Sequence, residues 1–116
     1  MIDQQRAGLP YRYVYSVLPT KGMFTFDGLI KHNVHSGREE VLMFGDGVFG
    51  SETVVARKPA AVDEDDAWLI TFTSDLLNDT SHCEVYDAKA FGGGPVARIE
   101  LPERISSGTH ACWAAA

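Results

Sequence analysis

The sequence has few basic residues, no long apolar segment and only two cysteines. Ten Lys and Arg against 16 Asp and Glu give the 116-residue chain a formal net charge of −6. A nucleic-acid-binding protein needs a basic face that displaces counterions from phosphates, so we expect no nucleic acid partner. No apolar run approaches the roughly 18 residues of a membrane-spanning helix. The first residues also lack the basic and apolar regions of a secretion signal, which favours a cytoplasmic location.

The two cysteines, Cys83 and Cys112, are too few for a disulfide scaffold. Neither lies in a C-x-x-C pair, so spacing gives no support to a zinc site. We therefore interpret both as free thiols of a reducing compartment.

Helical periodicity is absent, whereas short alternating runs separated by Gly, Asn and Asp recur about every ten residues, a pattern typical of all-β proteins. Gly37 is placed to adopt the positive φ of a hairpin turn, and the glycine-rich segment 45–52 is predicted to be a loop. The predicted strands cover residues 11–18, 28–34, 39–44, 53–57, 68–73, 83–87 and 96–101.

Four consecutive acids, Asp63-Glu64-Asp65-Asp66, follow the strand at 53–57. Consecutive side chains diverge, whereas calcium loops use ligands at alternate positions. We therefore interpret the run as a solvated turn and not as a cation site.

Four histidines are candidates for metal binding. His32, His35 and His82 lie in or beside turns or among polar residues, where histidines are mostly exposed. His110 differs, because it follows small polar residues and precedes the apolar run 111–114, which predicts a buried segment. A buried imidazole needs a hydrogen-bond partner or a metal. Glu52, after the glycine-rich loop, is one candidate partner.

A series of short motifs covers nearly the whole chain. They are Ile2-Asp3 to Gly8-Leu9-Pro10-Tyr11-Arg12-Tyr13, Gly28-Leu29-Ile30-Lys31-His32 to Ser36-Gly37, Phe49-Gly50-Ser51-Glu52, Pro59 to Asp66, Tyr86-Asp87-Ala88, Gly94-Pro95-Val96-Ala97, Leu101-Pro102 and Gly108-Thr109-His110. Each motif is short, but their order resembles the C-terminal part of the carotenoid cleavage oxygenases, which include the lignostilbene dioxygenases and the retinoid isomerohydrolase of the retinal pigment epithelium.

This resemblance implies a seven-bladed β-propeller with one iron(II) per full-length chain, held by four histidines whose imidazoles are oriented by three glutamates. His110 matches the last iron ligand, and Glu52 matches one of the orienting glutamates. Another such glutamate would lie just upstream of Ile2. Residues 1–116 are thus expected to form the C-terminal one to two blades of an incomplete propeller domain, without the other three iron-binding histidines.

The resemblance also implies a function for the full-length protein. It would cleave a C=C bond of a hydrophobic polyene or stilbene with O2, giving two carbonyl products, and peripheral contact with a membrane stays open. We expect the isolated segment to be inactive, because one histidine cannot hold the metal. Ala67 and Thr109 depart from the family pattern, where glycine and an aromatic residue are common, and leave substrate preference open.

The alternative is a non-enzymatic β-sheet binding module in which His110 is a core histidine. The iron content of the full-length protein separates these hypotheses. A serine or cysteine hydrolase is disfavoured, because the sequence has no recognisable nucleophile elbow.

Overall fold

Eight strands, all paired antiparallel, make up the computed structural model, which describes residues 1–106, 108 and 110–114. This confirms the predicted all-β fold. Short 3₁₀ turns cover Gln4–Arg6 and Phe91–Gly93. No helix within the described part is long and apolar enough to cross a membrane. The strands are β1 (Tyr13–Pro19), β2 (Phe26–Asn33), β3 (Glu39–Met43), β4 (Val48–Gly50), β5 (Val54–Arg57), β6 (Ala67–Asp75), β7 (Thr80–Asp87) and β8 (Pro95–Glu100).

The strands form two blade-like groups. In the first group, β2 lies between β1 and β3, and Gly37 in the β2–β3 turn has the predicted positive φ of 72°. In the second group the order is β5-β6-β7-β8. Strand β4 connects the groups, because it pairs with the end of β6 and with β2 at Gly50 and Phe26.

Strand β4 corrects the prediction that residues 45–52 form one loop. Val48 and Phe49 favour extended backbone, and Gly47, with φ of 72°, supplies the turn before them. Gly50 ends the strand against the ring of Phe44, where a Cβ atom would lie 2.3 Å from a ring carbon. Gly47 therefore serves the turn and Gly50 a close contact with the Phe44 side chain, so the segment is not one open loop.

One hydrophobic core lies between the two groups. The rings of Phe44 and Tyr86 meet there with centroids 6.3 Å apart. On β6 the inward side chains are Leu69, Thr71 and Thr73, all buried, while the more apolar alternate face is half-buried or exposed. The core comprises Tyr15, Leu29, Leu42, Phe44, Val55, Ala67, Leu69, Tyr86, Ala88 and Phe91.

The outer face of each group is apolar and exposed. Val41 and Met43 of β3 are 53% and 59% exposed, and Phe72 and Ile99 of the second group are 41% and 56% exposed. Exposed apolar faces of this kind commonly mark contact surfaces. Blades of a propeller pack on neighbours on both sides, so these faces are suited to further blades.

A buried ion pair joins the two groups. Lys31 of β2 donates to Asp65 Oδ2 at 2.8 Å and to the carbonyl of Ala88 at 2.7 Å. The Lys31 and Asp65 side chains are only 4% and 9% exposed. The ring of Tyr13 lies 4.4 Å from the ammonium, a cation–π contact. Lys31 therefore fixes β2 to two segments of the second group.

The acidic run is consequently not the solvated turn that the sequence predicted. Beside buried Asp65, the Glu64 carboxylate accepts hydrogen bonds from the backbone N–H groups of Arg12 and Tyr13, at 2.7 to 2.9 Å. These two N–H groups lie at the start of β1 and have no partner on a neighbouring strand within the described residues. The consecutive carboxylates point in different directions, as expected. However, those of Glu64 and Asp65 bind groups of the protein and not solvent.

Asp66 closes the turn itself by accepting from the N–H groups of Val62 and Asp63. Lys89 binds both Asp63 and Asp66 at 2.7 Å. The hydrogen bond from Lys89, followed by those from the backbone, lowers the pKa of Asp66 below its ordinary value.

Two tyrosine hydroxyls in the core differ in their partners. Tyr86 donates to the buried carboxylate of Glu84, which also accepts from Arg98 Nε at 2.8 Å. Burial, followed by the bond to Glu84, raises the pKa of Tyr86. The hydroxyl of Tyr15 is buried without a hydrogen-bond partner in the described part of the chain.

Replacing Lys31 by Met should destabilise the fold by about 3–5 kcal/mol, because Asp65 would stay buried without its counter-charge. Lys89→Met is the matched control, since its ion pairs are exposed and should matter much less. Urea unfolding followed by tryptophan fluorescence measures both. Equal losses in the two variants would contradict this role of the buried pair.

Tyr15→Phe should raise the free energy of unfolding by about 1 kcal/mol, because it removes a buried hydroxyl without a partner. Tyr86→Phe should lower it, because Glu84 would lose a donor. Thermal unfolding of the two variants supplies the comparison. A destabilised Tyr15→Phe variant would show that its hydroxyl is paired in solution.

Candidate metal centre

Glu52 lies between β4 and β5, directly after the buried Ser51. Ser51 is held on β6, because its N–H donates to the carbonyl of Phe72 at 2.8 Å and its carbonyl accepts from Thr71 Oγ1 at 3.2 Å. The Glu52 side chain itself is 33% exposed. A rigid backbone thus presents a carboxylate at the surface of the described chain.

His110 lies beside this carboxylate, as the sequence predicted. Its Nδ1 atom is 3.6 Å from Glu52 Oε2, and the N–H of Ala111 donates to the same oxygen at 2.6 Å. The first distance is an electrostatic contact and the second is a hydrogen bond. With Nδ1 turned toward the carboxylate, Nε2 is the ring nitrogen left for a metal.

The surroundings of His110 differ from the prediction. The sequence predicted a buried segment, yet the His110 side chain is 93% exposed and residues 111–114 are exposed. Trp113 lines a cleft together with Gln4 and Val55 and is still 45% exposed. The apolar composition of residues 111–114 is therefore not matched by burial within this chain. Ser107 and Thr109 lie outside the described residues.

The amino terminus also approaches Glu52. The Met1 ammonium donates to the carbonyl of Tyr15 at 2.5 Å, and the Tyr15 N–H donates to the Met1 carbonyl at 2.8 Å. Burial lowers the pKa of the Met1 ammonium, while the Glu52 carboxylate opposes this shift. Residues 1, 52 and 110 thus converge from three separate parts of the sequence.

The other three histidines lie on β2, in the β2–β3 turn and on β7. His32 Nδ1 contacts Glu39 Oε1 at 2.8 Å across β2 and β3. His35 is exposed in the β2–β3 turn, and His82 is on β7. Within the described ranges, no group of three or more His, Cys, Asp or Glu side chains could hold a metal ion. Cys83 and Cys112 are free thiols.

The donor set fits one position of an iron site and no more. An exposed imidazole with a carboxylate at Nδ1 matches the arrangement of a metal-binding histidine and its orienting partner. Iron(II) held by imidazoles needs several of them. His110 could supply one, so the remaining ligands would have to come from outside residues 1–116.

Sequence reasoning did not identify Ser51 or the N–H of Ala111 as supports of this site. For Ser51 the sequence offers only a weak signal, namely a serine between a strand that ends in glycine and a carboxylate. The second has no sequence signal, because any residue other than proline supplies a backbone N–H.

Comparison with known proteins identifies the family of this chain. Residues 1–115 match the family described as retinal pigment epithelial membrane protein. A carotenoid 9,10(9',10')-cleavage dioxygenase of Pisum sativum is 34% identical over 95% of this chain and 23% of its own length. A lignostilbene-α,β-dioxygenase of Sphingomonas paucimobilis is 25% identical over 97% of this chain and 25% of its own length.

The fold has close solved counterparts. A cobalt-substituted apocarotenoid oxygenase of Synechocystis superposes with a TM-score of 0.89 at 27% identity, covering 97% of this chain and 24% of that protein. The two sheet groups are therefore a small part of a β-propeller of the carotenoid oxygenase class. The chain belongs to the carotenoid cleavage oxygenase family, a family of enzymes, and spans about a quarter of the length of the relatives it matches.

Glu52→Ala should speed hydrogen exchange at the Ala111 amide, because that N–H would lose its acceptor 59 residues away. Glu52→Gln should keep much of the protection, since the amide oxygen can still accept. Exchange followed by NMR, with the Ser51 amide as an internal reference, measures the effect. Unchanged exchange at Ala111 in the Ala variant would contradict the contact.

Proposed function

We propose that residues 1–116 are the C-terminal part of a non-haem iron(II) dioxygenase. The full-length enzyme would cleave a C=C bond of a carotenoid, apocarotenoid or stilbene with O2 and release two carbonyl products. The observation that carries the proposal is the Glu52 carboxylate beside Nδ1 of an exposed His110, in a chain of this family. The names of the relatives, which include carotenoid, apocarotenoid and lignostilbene oxygenases, support the substrate class.

His110 would bind iron through Nε2, and Glu52 would orient the imidazole ring through its contact with Nδ1. A carboxylate at this position also increases the electron density of the imidazole. The Ala111 N–H fixes the same carboxylate, so ring and backbone share one anchor. When bound, iron(II) supplies the dioxygen chemistry. That a solved relative is described as cobalt-substituted supports a metal in this family.

The partners that follow from this proposal are O2 and a hydrophobic polyene or stilbene. We include no nucleic acid among the proposed partners, because the net charge of the chain is −6. A cytoplasmic location, with peripheral membrane contact for collecting an apolar substrate, belongs to the same proposal. The alternative module, with His110 as a core histidine, fits less well because that side chain is 93% exposed.

In the full-length protein, His110→Ala should abolish iron loading and cleavage, because a ligand nitrogen is lost. Glu52→Gln should weaken both by about 10 to 100-fold, the usual effect of removing the partner of a ligand. Bound iron per chain and the absorbance change of an apocarotenal and a hydroxystilbene measure the two effects.

His35→Ala is the matched control, since this histidine is exposed in the β2–β3 turn. It should retain the iron content and turnover of the unmodified protein. Normal iron content and turnover in the His110→Ala variant would refute the proposal and favour the binding module.

A further inference from the structure

The backbone on either side of His110 is held against one stretch of the chain. Before the histidine, a Cβ atom on Gly108 would lie 3.6 Å from the Cβ of Ser51. After the histidine, the Ala111 N–H donates to Glu52 Oε2 at 2.6 Å. A single hydrogen bond fixes one point of the backbone, but it does not fix the rotation of the backbone about that point. The direction of the imidazole therefore needs a further constraint.

Trp113 supplies a further contact, two residues beyond Ala111. It lines a cleft of about 200 Å³ together with Val55 of β5 and with the 3₁₀ turn that begins at Gln4. Trp113 is 45% exposed, whereas the side chain of His110 is 93% exposed. The indole therefore packs on the protein much more than the imidazole does.

Alternate residues of this segment face the protein. Ala111 and Trp113 both lie beside Val55, each in a separate cleft. Cys112 lies between them and is exposed, as is His110. This is the pattern of an extended backbone, in which neighbouring side chains point to opposite sides. Packing residue 113 against β5 thus directs the side chain of residue 110 away from β5.

We propose that Trp113 is a positioning residue for His110. Its contact with β5 and the 3₁₀ turn limits rotation of the backbone about the Ala111 hydrogen bond, and the imidazole then stays beside the Glu52 carboxylate. A large, rigid ring suits this role, because it offers much contact area for few rotatable bonds. This role rests on the proposed function, in which His110 binds iron, but it concerns only the geometry of the histidine.

The backbone contact provides the first test. Trp113→Ala should speed hydrogen exchange at the Ala111 amide by about fivefold or more, because the segment would open more often. Trp113→Phe should keep most of the protection, since a smaller ring can still lie in the cleft. Exchange in the 116-residue chain is followed by NMR. The Ser51 amide, which donates to the carbonyl of Phe72, is the internal reference and should not change.

A double-mutant cycle tests the imidazole itself. Glu52→Gln should shift the NMR resonances of the His110 ring, because the carboxylate lies 3.6 Å from Nδ1. In the Trp113→Ala background the same substitution should cause a shift smaller by about half or more, since the two side chains would be together less often. The Trp113→Phe background should show close to the full shift. A Trp113 that only adds stability would leave this coupling unchanged.

Tyr11→Ala is the matched control, since Tyr11 is 40% exposed and lines a different cavity, beside His35. It should leave both measurements unchanged. Unchanged Ala111 exchange or undiminished His110 coupling in Trp113→Ala would overturn the proposal. So would an equal effect of Tyr11→Ala, or a Trp113→Phe variant that behaves like Trp113→Ala. Neither measurement involves iron, so failure of the proposed dioxygenase activity would be distinguished from failure of this positioning role.

Discussion

The buried pair of Lys31 and Asp65 determines how the two sheet groups lie against each other. Direct strand pairing between the groups is slight in the described chain, because β4 meets β2 only at Phe26 and Gly50. A buried charge without a partner is costly, so Lys31 tolerates few other arrangements of Asp65 and the Ala88 carbonyl. The hydrophobic core packs beside this ion pair, and β4, which pairs with both groups, leads through Ser51 to Glu52.

The sequence was sufficient for the all-β fold, because alternating patterns and turn residues are local signals. It was insufficient for β4, where glycines predicted a loop. Whether Gly50 belongs to a loop or to a close packing contact depends on Phe44, and that proximity is a tertiary property. The prediction of a solvated turn for the acidic run was wrong for the same reason, because the hydrogen-bond partners of Glu64 and Asp65 are more than 30 residues away in the sequence.

For the candidate site, the sequence was sufficient to bring Glu52 and His110 together, and only through the resemblance to a family. Residue type alone left that pairing as one among many. The exposure of His110 could not be predicted from its apolar neighbours, because composition indicates what a segment can bury and not whether a covering surface is present. The support from Ala111 is a main-chain contact, to which side-chain patterns are insensitive.

The contact between Glu52 and Ala111 closes a loop of 59 residues that contains β5 to β8. These strands are joined mainly by successive antiparallel connections, which are local and fast to form. Closing so long a flexible loop costs conformational entropy, and this cost falls once the intervening sheet has brought the two ends of the loop close together. Closing the loop between Glu52 and Ala111 therefore costs least once β5 to β8 have paired, so this contact depends on the sheet that lies between its two residues.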